Sequence, residues 1–215
     1  MSAVKQYEST MKNLGLSEAQ LDALKEVGNI GAGHASAALE QMINKRVTIS
    51  VPEAYPMAIE DLINVLKEED EIVVGIFFKI FGEIEGSILI LLGEEDANFL
   101  GNSLLFGEDT GDRELTEDKK SALKEIGNIL TSSYLTALSN FTGFNLMPSI
   151  PYLAHDMAGS VIDTLIIDMS KTVDYALVIN TEFILSNTIV RGKNLTFLDK
   201  KSYDAILTAL GMHNK

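Results

Sequence analysis

From Ser17 onward the chain places apolar residues at Leu21, Leu24 and Ile30, then at Ala38 and Leu39. This spacing predicts one helix with a buried stripe, running to about Asn44. Ser17 is a good N-cap, and Glu18 lies in the first turn, where the macrodipole favours an anion. Gly28, Gly31 and Gly33 fall inside the helix. Each costs about 1 kcal/mol against Ala, so the cluster predicts a close helix crossing or a break. Val47 to Val51 alternates and is β-branched, a strand that Pro52 ends or confines to a sheet edge. Met57 to Leu66 reads as a short helix, with Ile59, Leu62, Ile63 and Leu66 on one face. Ile72 to Phe81 and Gly86 to Leu92 read as strands of an antiparallel hairpin turning at Gly82-Glu83. Asp96 to Phe106 reads as a helix stopped by Gly107, and Glu108 to Glu114 as an acidic linker.

The pattern then restarts. Thr116 takes the place of Ser17 as N-cap, and a helix is predicted to about Phe141. A strand is expected over Phe144 to Ile150, ending at Pro151, then a helix over Ala158 to Leu165, whose Ile162 and Leu165 match Ile63 and Leu66. Strands are expected at Tyr175 to Phe183 and Leu195 to Leu198, separated by an irregular stretch, Ser186 to Asn194. The last helix is Lys200 to Leu210, ended by Gly211. The octapeptide Ala23-Leu-Lys-Glu-Val-Gly-Asn-Ile30 returns 99 residues later as Ala122-Leu-Lys-Glu-Ile-Gly-Asn-Ile129, with one change. Glu18–Pro52 against Glu117–Pro151 gives 12 identities in 35 positions, so the chain is a tandem duplication. We expect one domain over 1–215, made of repeats at about 17–107 and 116–211 that share a core and a sheet around a pseudo-two-fold axis. The irregular alternation of helices and antiparallel strands makes it α+β: mainly antiparallel sheet with two long motif-bearing helices.

Charge narrows the choice of partners. With 31 acidic against 17 basic residues the net charge is -14, which repels phosphate backbones and anionic lipid. We therefore expect no nucleic-acid and no membrane binding, and a partner with a basic or mixed face. There is no cysteine, hence no disulfide, thiolate metal site or cysteine nucleophile. Met1 to Leu14 is charged rather than signal-like, and the longest apolar run, Ile88 to Leu92, is far short of the roughly 20 residues of a membrane span. A cytoplasmic location is expected.

The repeated octapeptide carries the candidate chemistry. Glu26 and Asn29 lie three apart on one helix face, as do Glu125 and Asn128. Such a pair can fix a partner's Lys, orient a water, or decorate a solvated face. Its persistence in both halves favours a role, catalytic or structural. In a structural role, Gly28 and Gly127 would mark a tight crossing and Asn29 and Asn128 would bond across the axis. Other signals are weaker. Gly28-x-x-Gly31-x-Gly33 has neither the spacing nor the strand context of a dinucleotide loop, and a nucleotide site there would need a phosphate-sized pocket over Gly31 and Gly33. His34, His155 and His213 show no metal-ligand spacing, and only His155 has a neighbouring carboxylate, Asp156. No metal site is expected on this chain.

Both copies extend to a longer signature: Asp22-x-x-x-Glu26-x-x-Asn29 with Pro52 after 22 residues, and Ser121-x-x-x-Glu125-x-x-Asn128 with Pro151 after 22. This signature resembles that of the CheC/CheX/FliY family of chemotaxis phosphatases. The resemblance implies removal of the phosphoryl group from the aspartate of phosphorylated CheY. It makes Glu26 and Glu125 docking residues for a CheY Lys, and Asn29 and Asn128 positioners of the attacking water. No cofactor would be bound by this chain, the Mg²⁺ being supplied by CheY. The resemblance also implies pairing with CheD through the segment at His155 to Ser160, with Asp156 the candidate contact. Gly31-Ala-Gly33 becomes Leu130-Thr-Ser132 in the second copy, so the two sites are expected to differ. The competing reading is a non-catalytic or weakly active adaptor for CheD or phosphorylated CheY. Exposed Glu/Asn pairs favour catalysis; buried Asn side chains bonded to backbone favour a structural motif.

Overall fold

The computed structural model describes residues 17–68, 71–169, 175–185 and 188–211. Helix α1 (Glu18–Ile43) starts at Ser17, whose hydroxyl accepts the Gln20 N–H while the Gln20 side chain accepts the Ser17 N–H. This reciprocal box satisfies two donors that a helix start leaves open. The first half continues through β1 (Val47–Ala58), α2 (Ile59–Glu68), β2 (Ile72–Gly82), β3 (Gly86–Gly93) and α3 (Glu94–Phe106). The second half runs α4 (Glu117–Thr142), β4 (Leu146–Pro148), β5 (Tyr152–Met157), α5 (Ala158–Met169), β6 (Tyr175–Leu185), β7 (Thr188–Leu198) and α6 (Lys200–Ala209). Thr116 caps α4 by accepting the Lys119 N–H, and Gly143 ends it at φ 77°, a left-handed conformation free of Cβ strain only in glycine.

The strands form one seven-stranded sheet, ordered β1-β6-β7-β3-β2-β4 with β5 also on β2, and every pairing is antiparallel. Exchanging β1 with β4 and β5, β6 with β2, and β7 with β3 reverses this order onto itself, as a pseudo-two-fold requires. The first strand of each half lies on the other half's hairpin: β1 pairs with β6, and β4 and β5 pair with β2. Two cores flank the sheet. Ile88, Ile90 and Leu92 of β3 face the larger one with the buried residues of α1, α3, α4 and α6, while Leu89 and Leu91 face Leu62 of α2 and Val161 and Ile162 of α5. Burial on both faces is why β3 reads as an unbroken apolar run.

Several elements differ from the sequence expectation. The α1 stripe is Leu21, Leu24, Val27, Gly28, Gly31, Ala32, Ala35 and Leu39, with Ile30 and Ala38 only half-buried. Strand β1 runs past Pro52 to Ala58, because it is an edge strand and its register shifts between Ser50 and Glu53, a bulge that absorbs a residue with no N–H to offer. Met57 and Ala58 pair with Ala176 and Tyr175, so α2 begins later than expected. The strand expected to reach Ile150 stops at Pro148. There Ser149 donates its N–H to Lys79 O, and its hydroxyl accepts the Lys79 N–H. The chain rejoins the sheet after Pro151 as β5, which the sequence pattern did not predict. Strand β7 begins at Thr188, so most of the stretch expected to be irregular is paired with β6 and β3. The side chains of Ile63, Leu66 and Leu165, and all of His213, lie outside the described residues.

The acidic linker is pinned from below. Lys119 is 1% exposed, and its Nζ donates to Asn98 Oδ1 (3.2 Å), Asp112 O (2.9 Å) and Glu114 O (2.7 Å) and lies 3.2 Å from Asp112 Oδ2. Asn98 and Asn102 of α3 donate in turn to linker carbonyls, Arg113 O and Asp112 O. A buried ammonium is tolerable only with its donors satisfied, and here they are.

Candidate functional site

Helices α1 and α4 pack against each other. At Gly31 the α4 backbone lies directly against α1: a Cβ there would lie 2.8 Å from Tyr134 Cα and 3.3 Å from Ser133 O. The close crossing that the Gly28, Gly31 and Gly33 cluster predicts is therefore made at Gly31, and not at Gly28 and Gly127, where a structural role of the motif would put it. Gly28 faces Val51 at ordinary contact distance, and Gly127 sits on the sheet, its virtual Cβ 3.1 Å from Ile76 Cγ2. Burial at the crossing pushes the Tyr134 phenol up to about 12, so it stays protonated. The crossing places the two copies of the motif on paired helices.

Glu26 and Glu125 are exposed, and neither has a hydrogen bond or ion pair among the described residues. Asp22 and Ser121, one helical turn earlier, are exposed too. Asn29 and Asn128 are both half-buried, but their surroundings differ. Asn29 Oδ1 accepts the Val51 N–H at 3.2 Å. Asn128 has no hydrogen bond among the described residues, and the expected bond between the two Asn side chains is absent there.

The Asn29 bond belongs to a ladder. β1 is an edge strand, and its alternate N–H groups point away from β6. Val47 donates to Glu40 Oε1 (3.1 Å), Ile49 to Ser36 Oγ (2.9 Å) and Val51 to Asn29 Oδ1 (3.2 Å). Glu40 and Ser36 lie one turn apart and Ser36 and Asn29 two turns apart on one helix face, and each meets one of three alternate donors of the strand. They close an edge that would otherwise be open to pairing. In the first copy this spacing brings Val51 onto Asn29 and puts Pro52 in the adjoining bulge. Sequence reasoning missed Ser36, Glu40 and the Val51 N–H; the signal available was the strict alternation of β1 facing polar α1 residues.

The exposure criterion gives a mixed answer: both carboxylates are open, while the first carboxamide is bonded to backbone. The nucleotide reading fails, since α1 is continuous, Gly31 is filled by α4 backbone and Gly33 faces open space. A groove of about 590 Å³ lies elsewhere, between Glu53, Asn180, Arg191 and Lys193. His155 is paired with Glu94 (2.8 Å) rather than with Asp156. Asp156 is exposed at the end of β5, one oxygen accepting the Met157 N–H at 2.7 Å. Among the described residues no hydrogen bond or ion pair joins Asp156 to either Glu/Asn pair. Among the described residues no group of three His, Asp or Glu could hold a metal ion, and no helix is long and apolar enough to cross a membrane.

The model of the CheC-like family matches residues 20–55 and 119–152, the two signature segments. A Bacillus subtilis protein described as CheY-P phosphatase CheC is 34% identical over 92% of this chain and 96% of its own length. The crystal structure of Thermotoga maritima FliY superposes with a TM-score of 0.72 at 19% identity, covering 91% of this chain and 98% of that one. The FliM middle domain of H. pylori gives 0.65 at 14%, covering 90% and 99%. These two structural likenesses show the fold. The B. subtilis similarity runs through both signature copies and nearly end to end: the chain belongs to the CheC-like family.

Proposed function

We propose that this chain dephosphorylates the phospho-aspartate of a phosphorylated CheY response regulator, using two sites, Glu26 with Asn29 and Glu125 with Asn128. The observation that carries this reading is the pair of exposed, unpartnered carboxylates, each three residues before a carboxamide, on two paired helices. The family relationship supports it, since the B. subtilis relative is described as a CheY-P phosphatase.

An aspartyl phosphate is an activated acyl phosphate. Its hydrolysis needs an in-line water and charge stabilisation on the equatorial oxygens. Water adds its oxygen to phosphorus, the bond from phosphorus to the carboxyl oxygen breaks, and the products are the aspartate carboxylate and inorganic phosphate. The Mg²⁺ that takes up charge belongs to the response regulator and not to this chain. Glu26 or Glu125 docks the helix by pairing with a response-regulator Lys. Asn29 or Asn128 then holds the water in line through its amide. The gain is orientational, and effective molarities from such positioning are large. No general base is required of this chain, consistent with a site of only Glu and Asn.

Phosphate release from radiolabelled phospho-CheY tests the proposal. Asn29→Ala with Asn128→Ala should abolish the stimulated release while leaving the far-UV circular dichroism unchanged; undiminished release would overturn it. The adaptor reading draws on the Asn29–Val51 bond and predicts binding of phospho-CheY without release. We further propose that Asp156 contacts CheD. Its exposed place at the end of β5 supports this, and Asp156→Lys should abolish co-elution with CheD.

A further inference from the structure

The two sites are not equivalent, and the difference lies in the strand behind each Asn. At the 99-residue offset, Asn29, Ser36 and Glu40 become Asn128, Leu135 and Ser139, and Val47, Ile49 and Val51 become Leu146, Pro148 and Ile150. The middle rung of the ladder cannot form in the second half: Leu135 has no acceptor and Pro148 has no N–H. The last rung is missing as well. Ile150 lies in the gap between β4 and β5, is 90% exposed, and follows Ser149, whose backbone and hydroxyl are bonded to Lys79. Asn128 has no partner among the described residues, whereas Asn29 is the third rung of an intact ladder.

We propose that the Val51 peptide N–H is a positioning group that presets Asn29, making the first site the faster of the two. The bond holds Oδ1 against β1 and leaves Nδ2 as the amide's donor to a water. It also polarises the amide, which strengthens that donor. A carboxamide already fixed loses no further side-chain freedom when the water and the phosphoryl group are engaged. Asn128 must be ordered at that moment, and ordering one side chain is worth roughly two- to tenfold in rate. The two sites share the docking carboxylate and helix face, so the difference falls on kcat and leaves KM nearly equal. This inference rests on the phosphatase reading proposed above.

Two measurements test it. The first compares phosphate release by Asn128→Ala, which leaves only the first site, with release by Asn29→Ala, which leaves only the second. Asn128→Ala should retain a kcat roughly two- to tenfold higher than Asn29→Ala, with KM values alike. Equal kcat values, or the reverse order, overturn the inference while the phosphatase reading stands. No release from either variant counts as equal kcat and overturns the inference alone, whereas no release from the parent chain overturns both. The second measurement is amide hydrogen exchange. Asn29→Ala should speed exchange at Val51 at least tenfold and leave Ile49, bonded to Ser36, unchanged; Asn128→Ala should leave the already fast Ile150 amide unchanged. Val51 exchange indifferent to Asn29→Ala would show that the bond does not hold the side chain, and would overturn the inference whatever the rates.

Discussion

Replacing Gly31 by Ala should weaken the fold, while replacing Gly33 by Ala, two residues along the same helix, should strengthen it. In local terms the substitutions are alike, each favouring the helix by about 1 kcal/mol. They differ in what the new methyl meets. At Gly31 it would lie 2.8 Å from Tyr134 Cα, 3.2 Å from Tyr134 N and 3.3 Å from Ser133 O, all of them main chain of α4. Carbon atoms pack at about 3.5–4.0 Å, so the helices would have to part by roughly 0.8 Å. Overpacking costs about 1–3 kcal/mol, and a backbone that cannot rotate aside puts this case near the upper figure. After the propensity gain, the net loss at Gly31 is about 2 kcal/mol. At Gly33 nothing lies within 4 Å, so the whole gain of about 1 kcal/mol is kept. The two variants should differ by about 3 kcal/mol, or roughly 6–12 °C in Tm for a chain of this size. Urea unfolding followed by far-UV circular dichroism is the assay, because the chain has no tryptophan. A Gly31→Ala variant at least as stable as the parent would mean that α1 and α4 do not meet at that point, and the placement of the two motifs would have to be redrawn.

Two further perturbations probe the frame around the sites. Lys119→Met keeps the aliphatic shaft but leaves Asn98 Oδ1 without its donor and removes one of two donors from Asp112 O and from Glu114 O, so stability should fall by about 2 kcal/mol. Denaturant unfolding measures it, and an unchanged midpoint would show that the linker is not held through this ammonium. Asp96→Asn tests a pH effect. Burial raises the Asp96 carboxyl above its ordinary 3.8, against the opposing influence of the Arg191 N–H and charge. A raised acid favours the folded state most when protonated, so its contribution falls as pH rises through the folded pKa. The variant should therefore melt higher than the parent at pH 7, with the advantage shrinking as pH falls and vanishing below 3.8, where the parent's Asp96 is also largely protonated. A gain that grows on acidification would reverse the sign and refute the assignment.

The sequence by itself determined most of what is local or repeated. Ser17, Thr116 and Gly107 mark helix ends through capping and left-handed backbone preferences, which depend on a few neighbouring residues. The octapeptide, its duplication and the distances to Pro52 and Pro151 were enough to pick out Glu26, Asn29, Glu125 and Asn128. The apolar run Ile88 to Leu92 announced a strand, and the packing showed both of its faces buried. Tertiary structure decided what depends on residues distant in the chain. The continuation of β1 through Pro52 is possible only because the strand lies at a sheet edge, and edge position is a property of the whole sheet. Strand β5 exists because β2 offers it a partner, and its own sequence carries no strong alternation. Which glycine makes the crossing followed from where α4 lies: Gly31 meets its backbone, while Gly28 meets Val51 and Gly33 meets nothing. The same holds for the two Asn residues, identical in local sequence. One faces an edge strand whose N–H groups need acceptors and the other faces a gap, so only the packed structure could separate them.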